Sequence, residues 1–302
     1  MRILAAVLGL MVASTPALAV QAKRLSFQDI LVQAHGLHGP RIAYGSDPLQ
    51  FGELWLPKTK GKHPLIVMIH GGCWRADLPG LELQSPLSQA LTTHGWAVWN
   101  IEYRRIGHTG GAFPGTFHDI AAGVDAVRGL AKANQLDLSR VVFMGHSAGG
   151  HLAVWAGGRG RLPHTSMLWN KDPLLPQSVV TLAGINDLEA FHASGPDACG
   201  GPTVVEALVD LKGRGAKAYA DTSPPHLLPL GRRQIVVSGE FDPIVPPAFG
   251  EGYATKAKTA GDTVQVMTLP GAGHFELIDP KSRAWATLFP LIDALAGLKT
   301  SP

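Results

Sequence analysis

The stretch RVVFMGHSAGGHLAVWA, from Arg140 to Ala156, decides how the rest of the chain is read. Its apolar run Val141-Val142-Phe143-Met144 has the composition of a buried strand. Gly145-His146-Ser147-Ala148-Gly149 then makes a tight turn. Beyond it, Leu152, Ala153 and Ala156 fall at helical spacing. A G-x-S-x-G string alone is common. Between a strand and a helix it marks a turn that lifts the serine hydroxyl clear of a sheet. Small neighbours are needed because the serine backbone adopts a strained conformation there. The helix that follows presents free N–H groups to a developing negative charge. Ser147 is therefore the candidate nucleophile, and it needs a base, an acid to orient that base, and an oxyanion hole.

Outward from this stretch, buried-strand runs recur at Phe51–Leu56, Leu65–Ile69, Trp96–Ile101, Ser178–Leu182, Gln234–Val237 and Val264–Leu269. Helical spacing is legible over Phe117–Ala133 and Ala284–Leu298. Strands alternating with helices predict an α/β fold with a mostly parallel sheet covered on both faces. Ligands in such sheets bind at the carboxyl ends of the strands, where the remaining motifs fall.

His70-Gly71-Gly72-Cys73-Trp74 follows the Leu65–Ile69 strand. Its glycines allow the backbone to approach a substrate and turn N–H groups inward. Gly71, Gly72 and Cys73, with Ala148 after the serine, are the candidate oxyanion donors. Trp74 either lines an acyl pocket or anchors the loop in the core; it is carried with His146 as a candidate substrate contact. Asp242, in Gly239-Glu240-Phe241-Asp242-Pro243, is the candidate acid. Asp187, after the Ser178–Leu182 strand, is its rival. His274, in Gly271-Ala272-Gly273-His274-Phe275, supplies the candidate base. His151 reads as helix packing or surface, and His118 and Asp119 as helix-start or surface residues.

The order Ser147, Asp242, His274 and the HGG-x-W loop resemble an α/β-hydrolase of the esterase/lipase superfamily. Within it the chain resembles the carboxylesterase branch containing kynurenine formamidase-like and feruloyl esterase-like enzymes. Ser223–Gly231, SPPHLLPLG, resembles that branch's approach to the acid-bearing strand. The chain departs from it at Cys73, where formamidases typically carry an aromatic residue and hormone-sensitive-lipase relatives a third glycine. The resemblance implies a cofactor-free serine hydrolase of carboxylic esters, with an aryl formamidase or peptidase as the alternative. A non-catalytic binding protein on the same fold would lack a triad member, and none is missing.

The first nineteen residues, MRILAAVLGLMVASTPALA, read as a cleavable signal peptide: one Arg, an apolar run and an Ala17-Leu18-Ala19 cleavage site. The expected product is a single catalytic domain, 20–302, secreted or periplasmic, with no membrane insertion after cleavage. A Gly-, Ala- and Asp-rich segment, 186–223, interrupts the strand pattern and is a candidate cap. Charged residues are 16% and hydrophobic residues 45% of the chain, which suits a filled core rather than a disordered tail. The net charge of +3 is spread along the chain, without the basic cluster a nucleic-acid partner requires. The expected partner is a small ester. No Cys/His spacing suggests a metal. Cys73 and Cys199 are the only cysteines. In an oxidising compartment they would form a bridge tying the cap to the catalytic loop; the alternative is two separate buried thiols.

Overall fold

The computed structural model describes residues 24–298. The proposed signal peptide, 1–19, lies outside them. Eight strands form one sheet in the order β1-β2-β4-β3-β5-β6-β7-β8. They are β1 (Arg41–Ala43), β2 (Phe51–Trp55), β3 (His63–Ile69), β4 (Ala97–Ile101), β5 (Leu136–His146), β6 (Ser178–Leu182), β7 (Arg233–Gly239) and β8 (Val264–Leu269). From β4 onward across the sheet the strands are parallel; only β1 and β2 are antiparallel to their neighbours. Every residue of β3, β4 and β6 is buried, as expected of strands covered on both faces. The β3–β5 register slips between Pro64 and Leu65, where proline has no N–H to give the ladder.

The helices are α1 (Phe27–Ala34), α2 (Ser85–Thr93), α3 (Gly115–Asp125), α4 (Val127–Leu130), α5 (Ala148–Gly157), α6 (Leu188–Ser194), α7 (Pro202–Val209), α8 (Leu211–Arg214), α9 (Pro247–Thr259) and α10 (Arg283–Leu295). The single helix expected over Phe117–Ala133 is two pieces, α3 and α4, meeting at Ala126. α9 provides the crossover between β7 and β8 that the sequence pattern left blank. Its sequence, PAFGEGYATKAKT, carries a weak apolar stripe. α5 is buried along its whole length, so it shows no polar face. The segment expected as a cap is a helical insert between β6 and β7, made of α6, α7, α8 and short 3₁₀ turns. No helix among the described residues is long and apolar enough to cross a membrane.

Candidate active site

Ser147 stands at the junction of β5 and α5 with φ 55° and ψ −122°. A non-glycine residue at positive φ is strained, and the packing around it leaves no room for relaxation. A Cβ at Gly145 would fall 2.0 Å from the Gly149 carbonyl oxygen, and one at Gly149 would fall 2.1 Å from that of Ile69. Larger residues at either position would force the turn apart. The Ser147 N–H is held by the Leu182 carbonyl at 2.9 Å, so β6 fixes the elbow from the side. The N–H of Ala148, first in its helix, has no intrahelical acceptor.

His274 follows β8 and Asp242 follows β7, and the sheet brings them together. Their contact, Nδ1 to Oδ2, is 2.7 Å, with both side chains buried. The other Asp242 oxygen accepts the N–H groups of Ile244 at 2.8 Å and Val245 at 2.9 Å. The carboxylate is thus fixed from its own turn. Its position leaves His274 Nε2 as the ring nitrogen free to work on Ser147. Asp187 sits elsewhere: it caps α6 through Ala190 N–H and holds Lys256 Nζ at 2.5 Å. Glu240 accepts the Gly271 N–H at 2.8 Å and is turned away from the imidazole.

Ser147, His274, Gly72, Cys73 and His146 line one small cavity of about 170 Å³. Its other walls are apolar: Phe27, Leu78, Pro79, Leu83, Ile244 and Phe275, with Ala198 from the helical insert. Gly71 lies against the serine, where a Cβ would come 3.1 Å from Ser147 Cβ. His146 Nε2–H donates to the His274 carbonyl at 3.1 Å, while Nδ1 is buried without a partner. Burial, and then the neighbouring His274, push His146 well below the usual histidine range, so it stays neutral beside the triad.

Trp74 corrects the substrate-contact expectation. It is fully buried, is absent from the cavity wall, and packs edge-on against His151 at 5.4 Å between ring centroids. Its backbone sits at positive φ, 55°. The indole is the anchor of the loop. His151 is buried and donates to the Thr222 carbonyl at 2.8 Å, which tethers α5 to the end of the insert. Asp119 is also a correction: it is buried and binds Arg104 through both oxygens, at 2.7 and 2.8 Å. His118 is exposed, as expected.

A buried charged network behind the Gly-rich loop was not foreseen from the sequence. Glu102 follows β4 and contacts His70 Nε2 at 3.1 Å, while accepting the N–H groups of Tyr103 at 2.9 Å and Leu81 at 3.3 Å. His70 Nδ1 lies 2.7 Å from the Gly71 carbonyl, so both ring nitrogens face oxygen atoms. Arg105 lies 3.7 Å from Glu102 and donates to the carbonyls of Leu78 at 2.8 Å, Arg75 at 3.1 Å and Pro79 at 3.2 Å. Burial raises the Glu102 pKa, but His70, Arg105 and the Tyr103 N–H outweigh it and bring it to about 2. The signal available in the sequence was the run Glu102-Tyr103-Arg104-Arg105 straight after a buried strand. Cys73 and Cys199 form a disulfide, which joins this loop to the helical insert. Among the described residues no group of three or more His, Cys, Asp or Glu could hold a metal ion.

Strand order, elbow and the Ser147–Asp242–His274 arrangement define an α/β-hydrolase fold. Within that fold the chain belongs to the BD-FAE family, whose model matches residues 53–256. The chain is similar to esterase LipC of Mycobacterium tuberculosis, 26% identical over 251 residues that cover 80% of this chain and 61% of that protein. It is also similar to a probable isoprenylcysteine alpha-carbonyl methylesterase, ICMEL1, of Arabidopsis thaliana, 23% identical and covering 78% of this chain and 50% of that one. The chain thus spans about half to three-fifths of the length of the curated relatives it matches. A tributyrin phosphonate-inhibited esterase B of Lactobacillus rhamnosis shares the fold with a TM-score of 0.73 at 17% identity, over 89% of this chain and 91% of that one. A truncated carbohydrate esterase from gut microbiota gives 0.71 at 19% identity, over 86% and 98%.

Proposed function

We propose that the protein is a serine esterase that hydrolyses small carboxylic esters through an acyl-enzyme on Ser147. The observation that carries this reading is the strained Ser147 sharing one cavity with a His274 imidazole whose Nδ1 is fixed on buried Asp242 at 2.7 Å. Ser147 Oγ attacks the ester carbonyl carbon while His274 Nε2 takes its proton. The carbonyl oxygen becomes an oxyanion, held by N–H groups of Gly72, Cys73 and Ala148. Gly71 gives the loop its close approach. The tetrahedral intermediate collapses, the C–O bond to the alcohol breaks, and His274 returns the proton to the leaving oxygen. Water then attacks the acyl-serine, giving its proton to His274, and the acid departs as Ser147 regains its hydrogen.

The esterase names of the curated relatives and the phosphonate inhibition of a structural neighbour support the same chemistry. The cavity is smaller than the roughly 300–1,000 Å³ of a drug-sized pocket, and its wall has no carboxylate or ammonium group, which favours a short uncharged acyl chain. The chain works outside the cytoplasm in this reading. A leader of signal-peptide pattern and a disulfide, which persists in an oxidising compartment, both favour export. The helical insert acts as the cap, since Ala198 reaches the cavity from it.

The test is a panel of p-nitrophenyl esters of increasing acyl length with an aryl formamide included. Acetate and propionate turnover should exceed that of long chains, and Ser147→Ala should remove it while leaving the unfolding midpoint intact. A fluorophosphonate should label Ser147 alone. Label on another serine, or activity surviving in Ser147→Ala, would refute the reading; formamide turnover above that of every ester would move the enzyme to amide chemistry.

A further inference from the structure

The structure assigns a substrate role to Phe27, which lies outside the span the family model covers. We infer that Phe27, with Phe275, forms the wall that receives the alcohol portion of the ester; this rests on the esterase reading above.

Phe27 is the first residue of α1 and remains 42% exposed, although its helix is anchored in the core by fully buried Ile30. A single exposed apolar ring is ordinary by itself; this one stands on an anchored helix at the mouth of a catalytic cavity. Its exposed side belongs to the wall of the Ser147 cavity. Its ring meets that of Phe275 edge-on, 6.4 Å between centroids, and Phe275 in turn meets the His274 ring at 5.1 Å.

The segment leading into α1 is fastened to the histidine loop itself. Glu276 accepts the Leu25 N–H at 2.8 Å with one oxygen and the Gly273 N–H at 3.0 Å with the other. The Arg24 guanidinium donates to the Gly271 carbonyl and lies over the Phe241 ring, 4.4 Å from its centroid. Ser26 and Asp29 close a capping box that sets the first turn of α1 and with it the direction of Phe27. Arg24, Leu25 and Phe27 are thus registered against the loop that carries the base.

Stereochemistry decides which half of the ester this wall meets. The carbonyl oxygen must face the N–H groups of Gly72, Cys73 and Ala148. The leaving oxygen must lie within reach of His274, which protonates it. The alcohol therefore extends along the histidine side of the cavity, where Phe275 and Phe27 stand. An uncharged alcohol with an apolar face, aromatic or cyclic, fits between two rings set edge to face.

The experiment compares benzyl acetate with methyl acetate, two esters that share an acyl group and have leaving groups of similar basicity. Phe27→Ala should lower kcat/KM for benzyl acetate about fivefold, the effect of losing contact with a half-exposed ring, mostly through KM. Methyl acetate, too short to reach the ring, should change by less than about twofold. Phe27→Leu should fall between. The unfolding midpoint of each variant is measured alongside; if Phe27→Ala unfolds, Phe27→Leu carries the comparison. Equal losses on both acetates, no loss on either, or a loss that follows acyl length across a methyl ester series would overturn the assignment. Failure of the esterase reading is separate and visible in the wild type: no acetate would then be hydrolysed in a Ser147-dependent way.

Discussion

Removing the Cys73–Cys199 bond separates two jobs that one covalent link could perform. The bridge spans 126 residues of sequence. Chain-entropy reasoning for a closed loop of that length gives about 16.5 cal/mol/K, or about 4.9 kcal/mol at 25 °C, lost from the unfolded state. For a domain of this size that corresponds to a fall in Tm of ~8 °C on reduction or in the Cys73→Ser/Cys199→Ser double variant. The catalytic loop should keep its shape all the same. Trp74 is fully buried, and Ile106 N–H holds the Trp74 carbonyl at 2.8 Å. Arg105 fastens the carbonyls of Arg75, Leu78 and Pro79. At 25 °C, well below the lowered Tm, kcat on a short ester should therefore stay within about threefold of wild type. The assay is denaturant unfolding with and without reductant, followed by initial rates under the same two conditions, after thiol counting on the denatured, unreduced protein. Two free thiols, or a midpoint indifferent to reductant, would remove the bridge from the argument. A collapse of kcat with the fold intact would show that the bond, and not the buried anchors, shapes the loop.

Three further outcomes are expected. Asp242→Asn should lower kcat by about 10⁴, the scale of the equivalent change in serine proteases, and Asp187→Asn should leave it nearly unchanged; the reverse ranking would require a different acid. Glu102→Gln should destabilise the protein by about 3 kcal/mol, since it strips the anion from a buried pair, and should lower kcat more than KM by loosening the oxyanion loop; wild-type stability in this variant would refute the network's role. Stability should also fall in acid: burial, offset in part by the Thr222 carbonyl, brings His151 to about 4, and His146 is lowered as well. Both are neutral when folded and take up protons when unfolded below about pH 6.5, so each removes about 1.4 kcal/mol per pH unit from there down to its folded pKa. Denaturant midpoints between pH 7.5 and 5 should show that slope, and His151→Gln should make it shallower; a flat profile would contradict neutral burial.

Local patterning carried much of this protein. The β6 and β8 boundaries fall on Ser178–Leu182 and Val264–Leu269, as the sequence indicates: β6 is buried along its length, while β8, at the sheet edge, keeps Gln265 and Thr268 exposed between buried ends. The elbow was legible for a different reason: the turn around a serine at positive φ leaves no room for a side chain at Gly145 or Gly149, and that requirement is written in five consecutive letters. The candidate base and acid were legible from chain order, since each stands at the end of a strand. What the sequence could not decide was the outcome of long-range packing. Whether Asp242 or Asp187 meets His274 depends on which strand ends converge, and the sheet order puts β7 beside β8. Trp74 next to an oxyanion loop has the same letter whether it faces a substrate or the core, and only the space beside His151 turned it inward. Glu102 and Arg105 look like surface charges in a linear reading; they are buried because β4 delivers them behind the loop from β3, where their partners wait. Phe27, on the N-terminal helix, entered the cavity wall because Glu276 fastens the preceding residues to the histidine loop, a contact across 251 positions that no local periodicity encodes.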